Sequence, residues 1–167
     1  MSSTAKLADM PASASAAPTK PPRILAMDYG RKRIGLALSD ELGLTARPLL
    51  TLARTNRRDD LRRLREICRK HSVKRILVGH PLHMTGEAGT MAEEAAHFAA
   101  RIQKALGIEA ELADERLTTW EAAQMMAETK SRSARKRGSI DDVAAAILLR
   151  GYLQQRAHPG VPALERE

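Results

Sequence analysis

The chain has 167 residues, which is single-domain size, a formal net charge of +8 with a pI near 10.1, and only one Trp, two Tyr and one Phe. So few rings argue against aromatic base stacking as the main recognition device. The lone Cys68 excludes an internal disulfide or a cysteine zinc cluster, and no run approaches the ~18 apolar residues of a membrane span.

The positive charge favours a polyanionic partner, although a soluble protein can simply be basic. Its distribution says more. Ten basic residues stand against three acids between Arg54 and Arg75, and five stand against none between Lys130 and Arg137. Two concentrated patches argue for contact with phosphates more strongly than scattered lysines would.

In chain order, residues 1–22 are rich in Ala, Ser and Pro without a continuous apolar segment. They read as a flexible tail rather than a secretion signal, and the cytoplasm follows by default. Arg23–Met27 reads as a buried strand that ends in Asp28. An ionised carboxylate there is costly without a partner, and the cations and glycines of Tyr29–Gly35 crowd the turn beyond it. The combination points to a strand end that presents a carboxylate to a metal or to a phosphate, with both open.

Ile34–Ser39 reads as a second strand and Pro48–Leu52 as a third, with Pro48 placing the latter at an edge. Leu61, Leu64, Ile67/Cys68 and His71 recur at helical spacing with arginines opposite. Cys68 is then a buried small side chain. Val73–Val78 reads as a strand ending in Gly79, and Met91–Leu106 as a helix stopped by Gly107. Ile108–Ala113 is a strand leading into Asp114-Glu115-Arg116. Thr118–Glu121 has the spacing of a capping box and opens a helix to about Glu128, with Met125 and Met126 in its core. Ser139 caps a last helix, Ile140–Gln155, apolar nearly all round and hence buried.

The order βββ–α–β–α–β–α–α predicts an α/β fold: a five-stranded mixed sheet, an antiparallel three-strand meander plus two parallel strands, with helices on both faces. The domain runs over 23–156, and 157–167 forms a second flexible tail. Acidic residues fall at three element ends: Asp28, Asp114/Glu115 and Asp141/Asp142. Carboxylates that converge at a sheet edge repel one another unless divalent cations bridge them. Mg²⁺ or Mn²⁺ suits such oxygen ligands, and two ions can drive phosphodiester hydrolysis. Each piece also has a plain structural reading: Asp141/Asp142 can favour the helix dipole, Glu115 can pair with Arg116 or Arg101, and Asp28 with Lys32 or Arg33.

Asp28-Tyr-Gly-Arg-Lys-Arg-Ile-Gly-Leu-Ala37 resembles the opening motif of the YqgF family, also called RuvX, in the RNase H-like superfamily. Val78–Gly86 resembles that family's glycine-proline-leucine loop, Asp114-Glu-Arg-Leu-Thr-Thr119 its acidic motif, and Ser139–Leu149 its last helix. The resemblance spans about Arg23 to Gln155. It implies an RNase H-like fold and a metal-dependent nuclease, with Asp28, Glu115 and Asp141 as catalytic, metal-binding carboxylates. Asp114 should point to the opposite strand face from Glu115, and Asp142 can be a cap. His80 and His83 suggest a zinc pair, but no cysteine stands near them. Lys32, Arg33 and Arg116 adjoin the carboxylates and can grip the scissile phosphate or neutralise the acids. Arg135, Lys136 and Arg137 precede the last helix and can follow the nucleic-acid backbone.

Two substrates are proposed for the family: pre-16S rRNA trimmed at its 5′ end, with ribosomal particles as the partner, and the four-way Holliday junction. The RNA role is favoured, because the resemblance points there and no dimerisation element for paired junction cuts is evident. The rival classes are a non-cleaving nucleic-acid-binding module, against which the three retained acids argue, and an actin-like phosphotransferase, which needs two related domains.

Overall fold

A computed structural model of the chain describes residues 20–117, 124, 128 and 140–158. Five strands form one mixed sheet: β1 (Arg23–Tyr29), β2 (Arg33–Ser39), β3 (Ala46–Ala53), β4 (Val73–His80) and β5 (Glu109–Asp114), in the order β3-β2-β1-β4-β5. β1–β2 and β2–β3 are antiparallel, and β1–β4 and β4–β5 are parallel. The expected meander plus two parallel strands is therefore present, with β1 at the centre.

Side-chain alternation along β1 sends its residues to two separate cores. Leu25, Met27 and Tyr29 face a large cluster with Leu64 and Cys68 of α1 (Arg57–Lys70) and Ala95, Phe98 and Ile102 of α2 (Thr90–Leu106). Ile24 and Ala26 face a smaller cluster with Ala145, Ala146, Leu148 and Leu149 of α3 (Asp141–Ala157). Helices thus cover both faces. Small residues on the α3 side let that helix lie close to the sheet.

Local chemistry sets the element ends. Asn56 caps α1 by accepting the Asp59 N–H at 2.9 Å, and Asp59 and Asp60 in the first turn and Arg69 and Lys70 in the last complement its dipole. Gly107 ends α2 in the left-handed region at φ 68°, as its position predicts. Pro48 lies in edge strand β3, whose ladder shifts between Leu36 and Ala37, leaving Leu49 as the extra residue. α3 starts from Ile140, which makes no side-chain cap. The expected Ser139 cap lies outside the described residues, as do residues 118–123 and both predicted tails beyond 20 and 158. Of the predicted helix ending at Glu128, Gln124 and Glu128 are described and helical, and Met125 and Met126 are not described.

Two strand ends differ from expectation. β1 continues to Tyr29, because Asp28 and Tyr29 pair with Gly35 and Ile34, so Asp28 lies inside the strand rather than after it. β5 takes in Asp114, which pairs with His80, and Glu115–Leu117 form a 3₁₀ turn.

Candidate active site

Asp28 shares the parity of Ile24 and Ala26, so its side chain stands on the face covered by α3. Directly across the ladder is Gly35. A Cβ on Gly35 would overlap the Asp141 carbonyl and come within 2.7 Å of the Asp142 nitrogen. The missing side chain is what seats the start of α3 over Gly35, and it brings Asp141 to β2, the antiparallel neighbour of the strand that carries Asp28.

A second glycine places Glu115. A Cβ on Gly79 of β4, the parallel neighbour of β1, would collide with Glu115 Oε1 and lie 3.3 Å from Leu148 Cδ2. The Glu115 carboxylate therefore lies over Gly79, on the same α3-covered face. Burial pushes its carboxyl up to about 7, and the negative charges of Asp28 and Asp114 add to the shift. Asp28 and Glu115 thus share one electrostatic field.

Asp114 has a different engagement. Arg116 forks onto it, Nε at 3.0 Å from both oxygens and Nη2 at 2.7 Å from Oδ2, and the Arg116 backbone N–H donates to Oδ1 at 2.9 Å. The Arg116 guanidinium holds the Asp114 carboxyl below the usual range. Because the strand gives way to a 3₁₀ turn at Glu115, simple alternation does not relate the two acids. What separates them is Arg116. Asp142 Oδ1 accepts the Val143 N–H at 2.9 Å in the first turn of α3.

Asp141 Oδ2 lies 2.9 Å from Arg33 Nε, an ionic contact that lacks hydrogen-bond alignment, and this oxygen is buried with no hydrogen-bond donor. Of the cations assigned to phosphate by sequence, Arg33 and Arg116 are each engaged by a carboxylate. Lys32 is exposed and makes no hydrogen bond or ion pair through its side chain among the described residues. Arg135, Lys136 and Arg137 lie outside those residues.

The basic run of 54–75 divides in a way its composition hides. Arg54 pairs with buried Asp60, Arg62 with Asp59 and Glu66, and Arg75 with Glu109. Arg63 and Arg65 donate to the backbone carbonyls of Ala53 and Ala105. Half of the patch is structural. Burial accounts for Cys68, whose thiol is pushed up to about 11.

Among the described residues, no three His, Cys, Asp or Glu side chains are arranged as a closed metal-ligand group. The donor chemistry of the edge nevertheless fits a hard divalent cation. Three carboxylates lie on one sheet face, one with its pKa raised by burial and neighbouring charge, another with a buried oxygen that no donor satisfies. Sequence reading found the acids but took Gly35 for turn chemistry and Gly79 for a strand end. The available signal was an isolated glycine inside each strand pattern, which marks close approach of another group.

The model of the RuvX family, described as "Holliday junction resolvase", matches residues 22–155. A relative from Syntrophus aciditrophicus, named "Putative pre-16S rRNA nuclease", is 40% identical over 141 residues, covering 84% of this chain and 94% of the relative. Another of the same name, from Moorella thermoacetica, is 42% identical over 139 residues, covering 83% and 99%. Among solved structures, T. thermophilus RuvC in complex with a Holliday junction substrate aligns with a TM-score of 0.52 at 13% identity, over 81% of this chain and 97% of RuvC. Fowlpox virus resolvase, in complex with Holliday junction DNA, aligns with a TM-score of 0.51 at 10% identity, over 80% and 98%. At such identities the last two likenesses show the fold alone. No described helix is long and apolar enough to cross a membrane.

Proposed function

The chain belongs to the RuvX family and has the RNase H-like fold, and on that premise we propose that it is a divalent-metal-dependent endonuclease whose substrate is the 5′ end of pre-16S rRNA. The observation that carries the reading is the carboxylate edge. Asp28, Glu115 and Asp141 come from three elements onto one sheet face, and two glycines without side chains make room for them.

In this reading the three carboxylates hold Mg²⁺ or Mn²⁺, two ions when substrate is present. Bound there, the cations supply positive charge against the phosphate and activate the attacking water. The chain's own groups do the rest. The excess negative charge around Glu115 would favour a divalent cation held there. Arg33 fixes the position of Asp141 from the outer side, and the Asp114–Arg116 pair fixes the turn that carries Glu115. Arg33, Arg116 and Lys32 are the cations next to the scissile phosphate, where they offset charge that develops on its oxygens. Arg135, Lys136 and Arg137, which precede α3, contact the incoming strand.

Pre-16S rRNA is preferred because full-length relatives at 40–42% identity carry that name. On this reading the chain works in the cytoplasm, with ribosomal particles as its partner. The second reading, a four-way DNA junction, rests on the description of the family. Wild type and Asp28→Asn should be incubated with Mn²⁺ and either 5′-extended 16S rRNA or a synthetic four-way junction. Cleavage of the rRNA alone by wild type alone supports the proposal. Cleavage of the junction alone overturns the substrate, and equal cleavage by wild type and variant overturns the nuclease.

A further inference from the structure

The turn between β1 and β2 is pinned from two sides. Arg31 forks onto Glu94 of α2, with Nη2 2.8 Å from Oε1 and Nε 3.1–3.2 Å from both oxygens. From the other side Arg54 Nη1 donates to the Gly30 carbonyl at 3.1 Å, and the Arg54 backbone N–H donates to the Lys32 carbonyl at 2.9 Å. Arg54 is itself fixed. Its Nε lies 3.1 Å from Asp60 Oδ2, and its guanidinium sits 5.1 Å from the Tyr29 ring centroid and 5.5 Å from that of Phe98. The backbone of Lys32 is thus held while its ammonium remains exposed.

Two hollows meet at this turn, and Arg31 and Lys32 line both. One, of about 340 Å³, reaches Arg33 and Asp141 and so belongs to the carboxylate edge. The other, of about 560 Å³, leads away from it to the start of α1, where Arg54, Asp60 and Arg57 form its wall. Within the second hollow Asp60 is neutralised by Arg54, and Arg31 is neutralised by Glu94 from outside. Lys32 and Arg57 therefore give the hollow its charge: neither side chain makes a hydrogen bond or ion pair among the described residues. Every lining residue is of a polar or charged type, and none carries a ring. That chemistry suits a phosphate, not a base or an apolar metabolite.

We propose that the hollow at the start of α1 is a phosphate subsite for the strand whose scissile phosphate lies at the carboxylate edge, with Lys32 between the two positions and Arg57 at the far one. This rests on the nuclease reading and adds the path of the strand. Recognition there is by charge on the sugar-phosphate backbone and carries no sequence preference. It also separates Arg57 from Arg62 on the same helix, whose charge Asp59 and Glu66 already consume.

The test is the salt dependence of binding to a fluorescent RNA hairpin in EDTA, where no cleavage occurs. Each lost phosphate contact lowers the slope of log affinity against log salt by about 0.7–0.9. The double variant Lys32→Ala/Arg57→Ala should lose about 1.4–1.8 from the slope, with unchanged thermal unfolding, whereas Arg62→Ala should keep the wild-type slope. A double variant with the wild-type slope overturns the subsite, as does an equal loss in Arg62→Ala, and both outcomes leave the nuclease reading standing. Absence of RNA binding by wild type at the lowest salt overturns both.

Discussion

Glu115→Gln preserves the size of the side chain and removes its charge. In the wild type, burial and the charges of Asp28 and Asp114 push this carboxyl up to about 7, above its value in the unfolded chain. Below the ordinary glutamate pKa of about 4.3, both states are protonated and no penalty arises. Between there and about 7 the native state holds a proton that the unfolded state has lost, so stability falls as pH rises. Above that window the full penalty remains. A shift of this size corresponds to at most about 3.5 kcal/mol, and solvent access to a half-buried group screens it to about 1–2 kcal/mol. In EDTA at pH 8, Glu115→Gln should therefore exceed wild type in stability by about 1–2 kcal/mol, and the gap should close near pH 4. Urea unfolding at a series of pH values measures it. Added Mg²⁺ should reverse the order, because binding stabilises the wild type and not the variant. A variant no more stable than wild type at pH 8, or a gap independent of pH, would refute the burial of Glu115 among neighbouring carboxylates.

Gly35→Ala should force the start of α3 off the sheet, because its Cβ would overlap the Asp141 carbonyl. The expected loss is at least the ~1–3 kcal/mol of ordinary overpacking, seen as a lower Tm, together with loss of Mn²⁺-dependent cleavage. Arg54→Ala should leave Asp60, which is 1% exposed, as an unpaired buried charge. Chemical denaturation should report a loss of about 3–5 kcal/mol, whereas the exposed Arg58→Ala should change stability by less than about 0.5 kcal/mol.

Much of the fold was legible because the apolar runs of β1, β2 and β4 and the helical spacing of Leu61, Leu64 and Cys68 are local signals. Asp28 was legible for the same reason: a charge in a buried strand breaks a local pattern. What escaped were facts about partners. The arginines of α1 read as one cationic patch, but Asp59, Asp60, Glu66 and two carbonyls consume half of it, and only packing decides which half. Gly35 looked like turn chemistry, since the group it admits lies more than a hundred residues away at Asp141. Asp114 and Glu115 could not be ranked by alternation, because the strand yields to a 3₁₀ turn between them and Arg116 selects Asp114.

The central claim is that Asp28, Glu115 and Asp141 act as one metal-binding set. Rates of Mn²⁺-dependent cleavage should be measured for Asp28→Asn, Glu115→Gln, Asp141→Asn and the triple variant, with nucleic-acid binding followed in parallel. Groups that work as a unit are non-additive, so each single variant should lose about as much as the triple, about 100-fold or more, with binding retained. Any one of the three variants cleaving at the wild-type rate would contradict the account.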